Sequence, residues 1–187
     1  MQILVATDIH GINDQLKALF QEFGQAIQFL SPWTRDECAY ETESEAVAAF
    51  HSQNGLVTYQ QKIAEAAGSK PSFLIGFSVG ATSMWLYAAS EKCHPDSHAQ
   101  LIYGSRIRDY LSIVPRCKTS LIFAEHESSF QPESIAAKMM NTPVACTIIK
   151  NTRHGFMNPH SPHYDEALTR QQLAQMKSHL MRNNKHD

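Results

Sequence analysis

The sequence predicts an α/β protein built on a doubly wound, mostly parallel sheet of about six strands. Three observations carry that expectation. Short apolar runs rich in β-branched residues alternate with helical stretches along the 187 residues, as strand–helix–strand crossovers require. The runs are continuous rather than alternating, which suits strands covered on both faces. A composition of 43% hydrophobic and 18% charged residues belongs to a chain that buries a core, not to a disordered one.

The elements follow in order. ILVA (3–6) is the first strand. INDQLKALFQEFG (12–24) then places Ile12, Leu16, Leu19, Phe20 and Phe23 on one helical face, with Gly24 as the stop. AIQFL (26–30) is the second strand, broken by Ser31 and Pro32. Residues 43–67 read as helix interrupted at SQNG, where Asn54-Gly55 signals a turn; the helix resumes at Leu56 and ends near Gly68. SFLIGF (72–77) is the third strand, and VGATSMWLYAASEK the helix after it. AQLIYG (99–104), TSLIFA (119–124) and VACTIIK (144–150) complete the six strands. PESIAAKMMN is a short helix with Pro132 and Glu133 at its start, and YDEALTRQQLAQMKSHLMR is a long amphipathic helix. With no internal repeat and no linker, residues 1–187 are expected to form a single domain.

Several functional classes are disfavoured. The formal net charge is −2 and no Lys/Arg-rich run occurs, so neither nucleic acid nor an anionic membrane is an expected partner. Cys38, Cys93, Cys117 and Cys146 are scattered without a CxxC pair, as free thiols of a reducing compartment would be. No signal-peptide pattern follows Met1, and the expected location is cytoplasmic. Residues 71–90 carry no charge, yet two glycines and five Ser/Thr residues make a buried strand and helix the better account than a membrane span.

In doubly wound sheets chemistry gathers beyond the carboxyl ends of the strands. After the third strand stands Gly76-Phe77-Ser78-Val79-Gly80. Two explanations compete: small residues for close helix–strand packing, or a turn so sharp that only glycines fit beside a serine held out as nucleophile. In the second, the helix N-terminus aims the Val79 N–H at developing negative charge. After the fifth strand comes EHESSF, where Glu127 is the candidate anion for a catalytic base and Glu125 its competitor nearer the strand. After the sixth comes KNTRHGFMNPHSPHYD, with His154 as candidate base. Ser78, Glu127 and His154 thus occur in the order serine–acid–histidine, each behind a separate strand. After the first strand, TDIHG offers the Ile9 N–H as a second oxyanion donor; Asp8 either lies near the nucleophile or merely caps the turn.

These segments resemble the dienelactone hydrolase family within the α/β-hydrolases. The matching pieces are VATDIHGIND, IGFSVGA, IYGSRIRDYL, IFAEHES and RHGFMNP with its downstream YDEAL, in family order over nearly the whole chain. The resemblance implies an activity on esters or lactones and a triad at the carboxyl edge of a parallel sheet. Because the first strand matches the family's third, it also implies a sheet lacking the leading strand pair and ordered 2-1-3-4-5-6. The namesake enzymes carry cysteine where this chain has Ser78, aspartate where it has Glu127, glutamate where it has Asp8 and a substrate-binding arginine where it has Asn158. Arg35 is the match for another substrate-binding arginine. Asp8, His10, Arg35 and Asn158 are candidate substrate contacts; Trp33, Tyr103 and Arg106, which follow other strands, either line the substrate cleft as well or pack at its rim.

The expected function is a serine hydrolase acting on an ester, lactone or related acyl substrate through an acyl-enzyme, without cofactor. Its alternative is a non-catalytic module binding a small molecule or a protein on the same scaffold. A metal site from His160 and His163 with His94 or His98 is not expected: the spacing is loose and Pro159 and Pro162 break any helix. Loss of the leading strands exposes a sheet edge on which two copies could pair as a homodimer.

Overall fold

Each of the six apolar runs expected to be a strand lies in one sheet of the computed structural model, which describes residues 1–24 and 26–183. The strands are β1 (Gln2–Ala6), β2 (Ile27–Leu30), β3 (Ser72–Phe77), β4 (His98–Ile102), β5 (Lys118–His126) and β6 (Ala145–Arg153). They are hydrogen-bonded in the order β2-β1-β3-β4-β5-β6, all pairs parallel. Parallel neighbours need crossovers, and helices supply them: α1 (Asp14–Leu19), α2 (Glu43–Ser52), α3 (Gly55–Ala67), α4 (Val79–Ala89), α5 (Pro132–Met139) and α6 (Glu166–Asn183).

The period-2 alternation of each strand divides the core in two. Ile3, Val5, Phe73, Ile75 and Phe77 face α1 and α6, where Leu16, Leu173, Met176 and Leu180 close over them. Leu4, Ala6, Leu74, Leu101 and Phe123 face the other way, under Phe50 of α2, Ile63 of α3, Trp85 of α4 and Ile135 of α5. All six residues of β3 are buried, whereas edge strands β2 and β6 carry exposed positions. The uncharged stretch that invited a membrane reading is β3 and α4, and no described helix is long and apolar enough to cross a membrane.

Local chemistry sets the element ends. The Asn13 side chain accepts from the Leu16 N–H, so α1 starts at Asp14 and leaves Ile12 outside. The first helix was expected to run through to residue 23; instead it tightens into a 3₁₀ turn at Gln21–Phe23 and stops at left-handed Gly24. Thr42 and Glu45 form a capping box that starts α2. A six-residue 3₁₀ segment, Ser105–Tyr110, follows β4 and was not anticipated. β6 continues to Arg153 rather than ending at 150, past a register shift against β5.

The glycines of the elbow are explained by close approach. A methyl group on Gly80 would lie 2.4 Å from the Ala6 oxygen and 2.5 Å from that of Thr7; one on Gly76 would lie 2.7 Å from the Ala81 Cα. Packing and turning are therefore one requirement: α4 docks against the ends of β1 and β3, and the serine between the glycines takes the turn.

Candidate active site

Ser78 occupies that turn with φ 51° and ψ −111°. A non-glycine residue at positive φ is strained by about 1–3 kcal/mol, and such strain persists only where the surroundings over-determine it. Here β3 fixes one side, α4 the other, and the Ser78 N–H donates to the Ile102 oxygen at 3.0 Å. The hydroxyl is not used as a helix cap. The first N–H groups of α4, Val79 included, have no partner within the helix and carry the positive end of its dipole.

His154 follows β6 directly. Its Nε2 lies 3.2 Å from the Ser78 Oγ, and its Nδ1 lies 2.7 Å from the Glu127 Oε2. Serine, imidazole and carboxylate come from three loops, 76 and 27 positions apart along the chain. The Glu127 side chain is only 1% exposed, and its Oε1 is buried without a hydrogen-bond partner among the described residues. The Tyr103 ring packs against the imidazole with centroids 4.8 Å apart. Tyr103 is itself at positive φ (39°), and its buried hydroxyl has no hydrogen-bond partner among the described residues. Burial holds that phenol well above its ordinary range, with the carboxylates of Asp8 and Glu127 adding to the effect.

The loop after β1 meets this group from the side. Asp8 does what both of its readings asked. Its Oδ1 accepts from the His10 N–H at 2.9 Å, closing the turn, and its Oδ2 accepts from the Asn158 Nδ2 at 2.8 Å, tying the loop after β1 to the loop after β6. Burial pushes the Asp8 carboxyl up, opposed chiefly by the nearby His10. Asp8, Ile9, His10, Ser78, Tyr103, His154 and Asn158 share a cleft of about 260 Å³. Ile9 itself is buried. His10 stacks on His160 and lies 3.8 Å from the Glu43 carboxylate.

Three candidate substrate contacts lie elsewhere. Trp33 turns its indole N–H to the Ile9 oxygen at 2.9 Å and packs on Tyr40 and Phe50, behind the loop rather than in the cleft. Arg35 is exposed and borders a separate hollow with Trp33, Tyr59 and Lys62. Arg106 is claimed by Asp109 at 2.9 Å within the 3₁₀ segment and approaches His51, not the cleft. Glu125 is also removed: it belongs to β5 and holds the Lys150 ammonium at 2.8 Å and the Asn151 N–H at 2.7 Å. Glu43, Ser128, Gly155, Ser161, Pro162 and His163 line the cleft without having been singled out as substrate contacts. Glu43 is the first residue of α2, whose start is marked by its capping box but by nothing that signals a cleft. Ser161 stands in a loop where the sequence signal was histidine.

His94 and His98 precede or begin β4, at the end of the sheet away from His160 and His163. Among the described residues no three His, Cys, Asp or Glu side chains are grouped to hold a metal ion.

No protein-family model matches the chain. The uncharacterized protein YczH of Bacillus subtilis is 30% identical to it, over 94% of this chain and 90% of YczH. A Klebsiella pneumoniae protein provisionally described as a dienelactone hydrolase matches in structure with a TM-score of 0.70 at 14% identity, over 94% of this chain and 84% of that one. P91, a dienelactone hydrolase-like promiscuous phosphotriesterase from metagenomic libraries, matches with a TM-score of 0.67 at 15% identity, over 95% and 84%. The chain belongs to one family with B. subtilis YczH, and its fold is the hydrolase scaffold of the dienelactone hydrolase-like α/β proteins.

Proposed function

We propose that this protein is a serine hydrolase cleaving an ester, lactone or related acyl compound through an acyl-enzyme. The observation that carries the proposal is the continuous chain from the strained Ser78 through His154 to the buried Glu127, at 3.2 and 2.7 Å. In this reading Ser78 Oγ attacks the substrate carbonyl while His154 Nε2 takes its proton. The Glu127 Oε2 accepts from Nδ1–H, which fixes the tautomer and stabilises the imidazolium. The N–H groups of Ile9 and Val79 receive the oxyanion. The imidazolium then protonates the leaving alkoxide, and water, deprotonated by the same nitrogen, releases the acid. Each protein group returns to its starting state without a cofactor.

The acyl substrate is a small molecule sized to a cleft of about 260 Å³. The scattered thiols favour a reducing compartment, and we place the protein in the cytoplasm.

A fluorophosphonate probe tests the proposal. It should label Ser78 of the wild type and leave Ser78→Ala untouched, and p-nitrophenyl esters of graded acyl length, with lactones and thioesters beside them, should show which acyl group is turned over. Failure of the folded wild type to label or to hydrolyse any of these would favour a binding role on the same scaffold.

A further inference from the structure

The turn after β1 is held from behind by a side chain that touches neither nucleophile nor cleft. The Gly11 N–H donates to the Asp8 oxygen at 3.1 Å, so residues 8–11 form a β-turn whose middle peptide joins the Ile9 carbonyl to the His10 N–H. That peptide is the softest unit of such a turn, since two of its common forms differ by little more than its flip. Here both faces of it are taken. The His10 N–H is held by the Asp8 carboxylate at 2.9 Å, and the Ile9 oxygen by the Trp33 indole N–H at 2.9 Å.

Trp33 is in turn immobilised. Its own N–H donates to the Ser31 Oγ at 3.1 Å, its oxygen accepts from the Lys62 Nζ at 2.6 Å, and its ring is wedged between Tyr40 and the buried Phe50. Tyr59 of α3 adds a bond from its hydroxyl to the Thr7 oxygen at 3.3 Å, one residue before the turn.

We infer that Trp33 is a positioning residue of the oxyanion hole: its indole holds the Ile9–His10 peptide, the Gly11 N–H holds the Asp8–Ile9 peptide, and the two together fix the turn that presents the Ile9 N–H to the reacting carbonyl. The inference rests on the acyl-transfer reading above. Without the indole donor the Ile9–His10 peptide is free to rotate, only the Gly11 to Asp8 bond still braces the turn, and the Asp8–Ile9 peptide with its N–H is held less firmly. A misaimed donor forfeits stabilisation that exists only in the transition state, so kcat falls while KM stays.

Two replacements test this: Trp33→Phe, and 3-benzothienylalanine at position 33, which keeps the bicyclic shape and lacks only the N–H. Both should lower kcat, and the rate of Ser78 labelling by a fluorophosphonate, about tenfold, part of the ~10²–10³ that a whole oxyanion donor supplies. KM should stay within about twofold, because uniform binding is untouched. Amide hydrogen exchange in residues 8–11 should accelerate while that of β3 does not. The benzothienyl chain preserves the packing, so its loss of rate cannot be assigned to misfolding. Wild-type kcat and unchanged exchange in that chain would overturn the inference. An inactive wild type whose 8–11 exchange still accelerates in the variant would overturn the hydrolase reading and leave the indole lock in place.

Discussion

The Glu127 carboxylate is the most heavily committed side chain of the site. It is 1% exposed, gives one oxygen to His154 and leaves the other without a partner. Among the described residues, its hydrogen-bond partner is the imidazole. Glu127→Gln should therefore retain the fold and lose about 10³–10⁴ in kcat with little change in KM, because the amide no longer fixes the productive tautomer. Steady-state kinetics beside a thermal melt separates the two effects. Tyr103 makes the opposite prediction. Its hydroxyl is buried and unsatisfied, which costs about 1–3 kcal/mol, whereas its ring supports the imidazole. Tyr103→Phe should raise the melting temperature and leave kcat within about twofold; a large fall in kcat would show that the hydroxyl meets the substrate. At this scale the sequence was readable where chemistry is local. Ser78, Glu127 and His154 each sit just past a strand, and residue type with position picked out three side chains that the fold brings within hydrogen-bond distance of one another in series. For Trp33 and Arg106 the choice between cleft and rim stayed open in the sequence, and Arg35 was expected at the cleft, because the path of a long loop is decided by distant partners: Ile9 for Trp33, Asp109 and His51 for Arg106.

Among the elements, α4 and its two glycines connect packing to geometry. Gly80→Ala would drive a methyl into the carbonyls of Ala6 and Thr7, backbone atoms that cannot swing aside. The helix must move, taking Ser78 away from His154 and disturbing the turn after β1. Stability should fall by about 1–3 kcal/mol, or more, and labelling of Ser78 should be lost; calorimetry and the probe report the two halves. The β5–β6 junction gives a pH prediction. Lys150 beside Glu125, helped by the Asn151 N–H, holds that carboxyl below its ordinary value of 4.5. A lowered folded value means that the ionised form favours folding. The benefit is present above 4.5 and is lost as the pH falls through the lowered value. Glu125→Gln should therefore melt slightly below the wild type at pH 7 and converge with it in strong acid. Six strands were visible as apolar runs, but their ends were not. The last residues of β6 are polar and include left-handed Asn151, so no hydrophobic pattern marks them.

Across the whole molecule, the two cores share one sheet, and β1 and β3 contribute residues to both. We propose that they melt together as a single domain. Urea transitions followed by tryptophan fluorescence, from Trp33 and Trp85 on one face, and by far-UV circular dichroism should coincide; separated midpoints would show two units. Strand order is the property that periodicity alone could not supply. The alternation of strands and helices gave the class, while the order 2-1-3-4-5-6 came from the resemblance to a family and is the order observed. Asp8 and Asn158, 150 positions apart, touch across the cleft. During synthesis, then, a ribosome would release Ser78 and its helix well before the imidazole exists. On the proposed mechanism no amino-terminal fragment, however well folded, could be half an enzyme, and a stop codon anywhere before position 154 should leave a chain with no hydrolytic turnover at all.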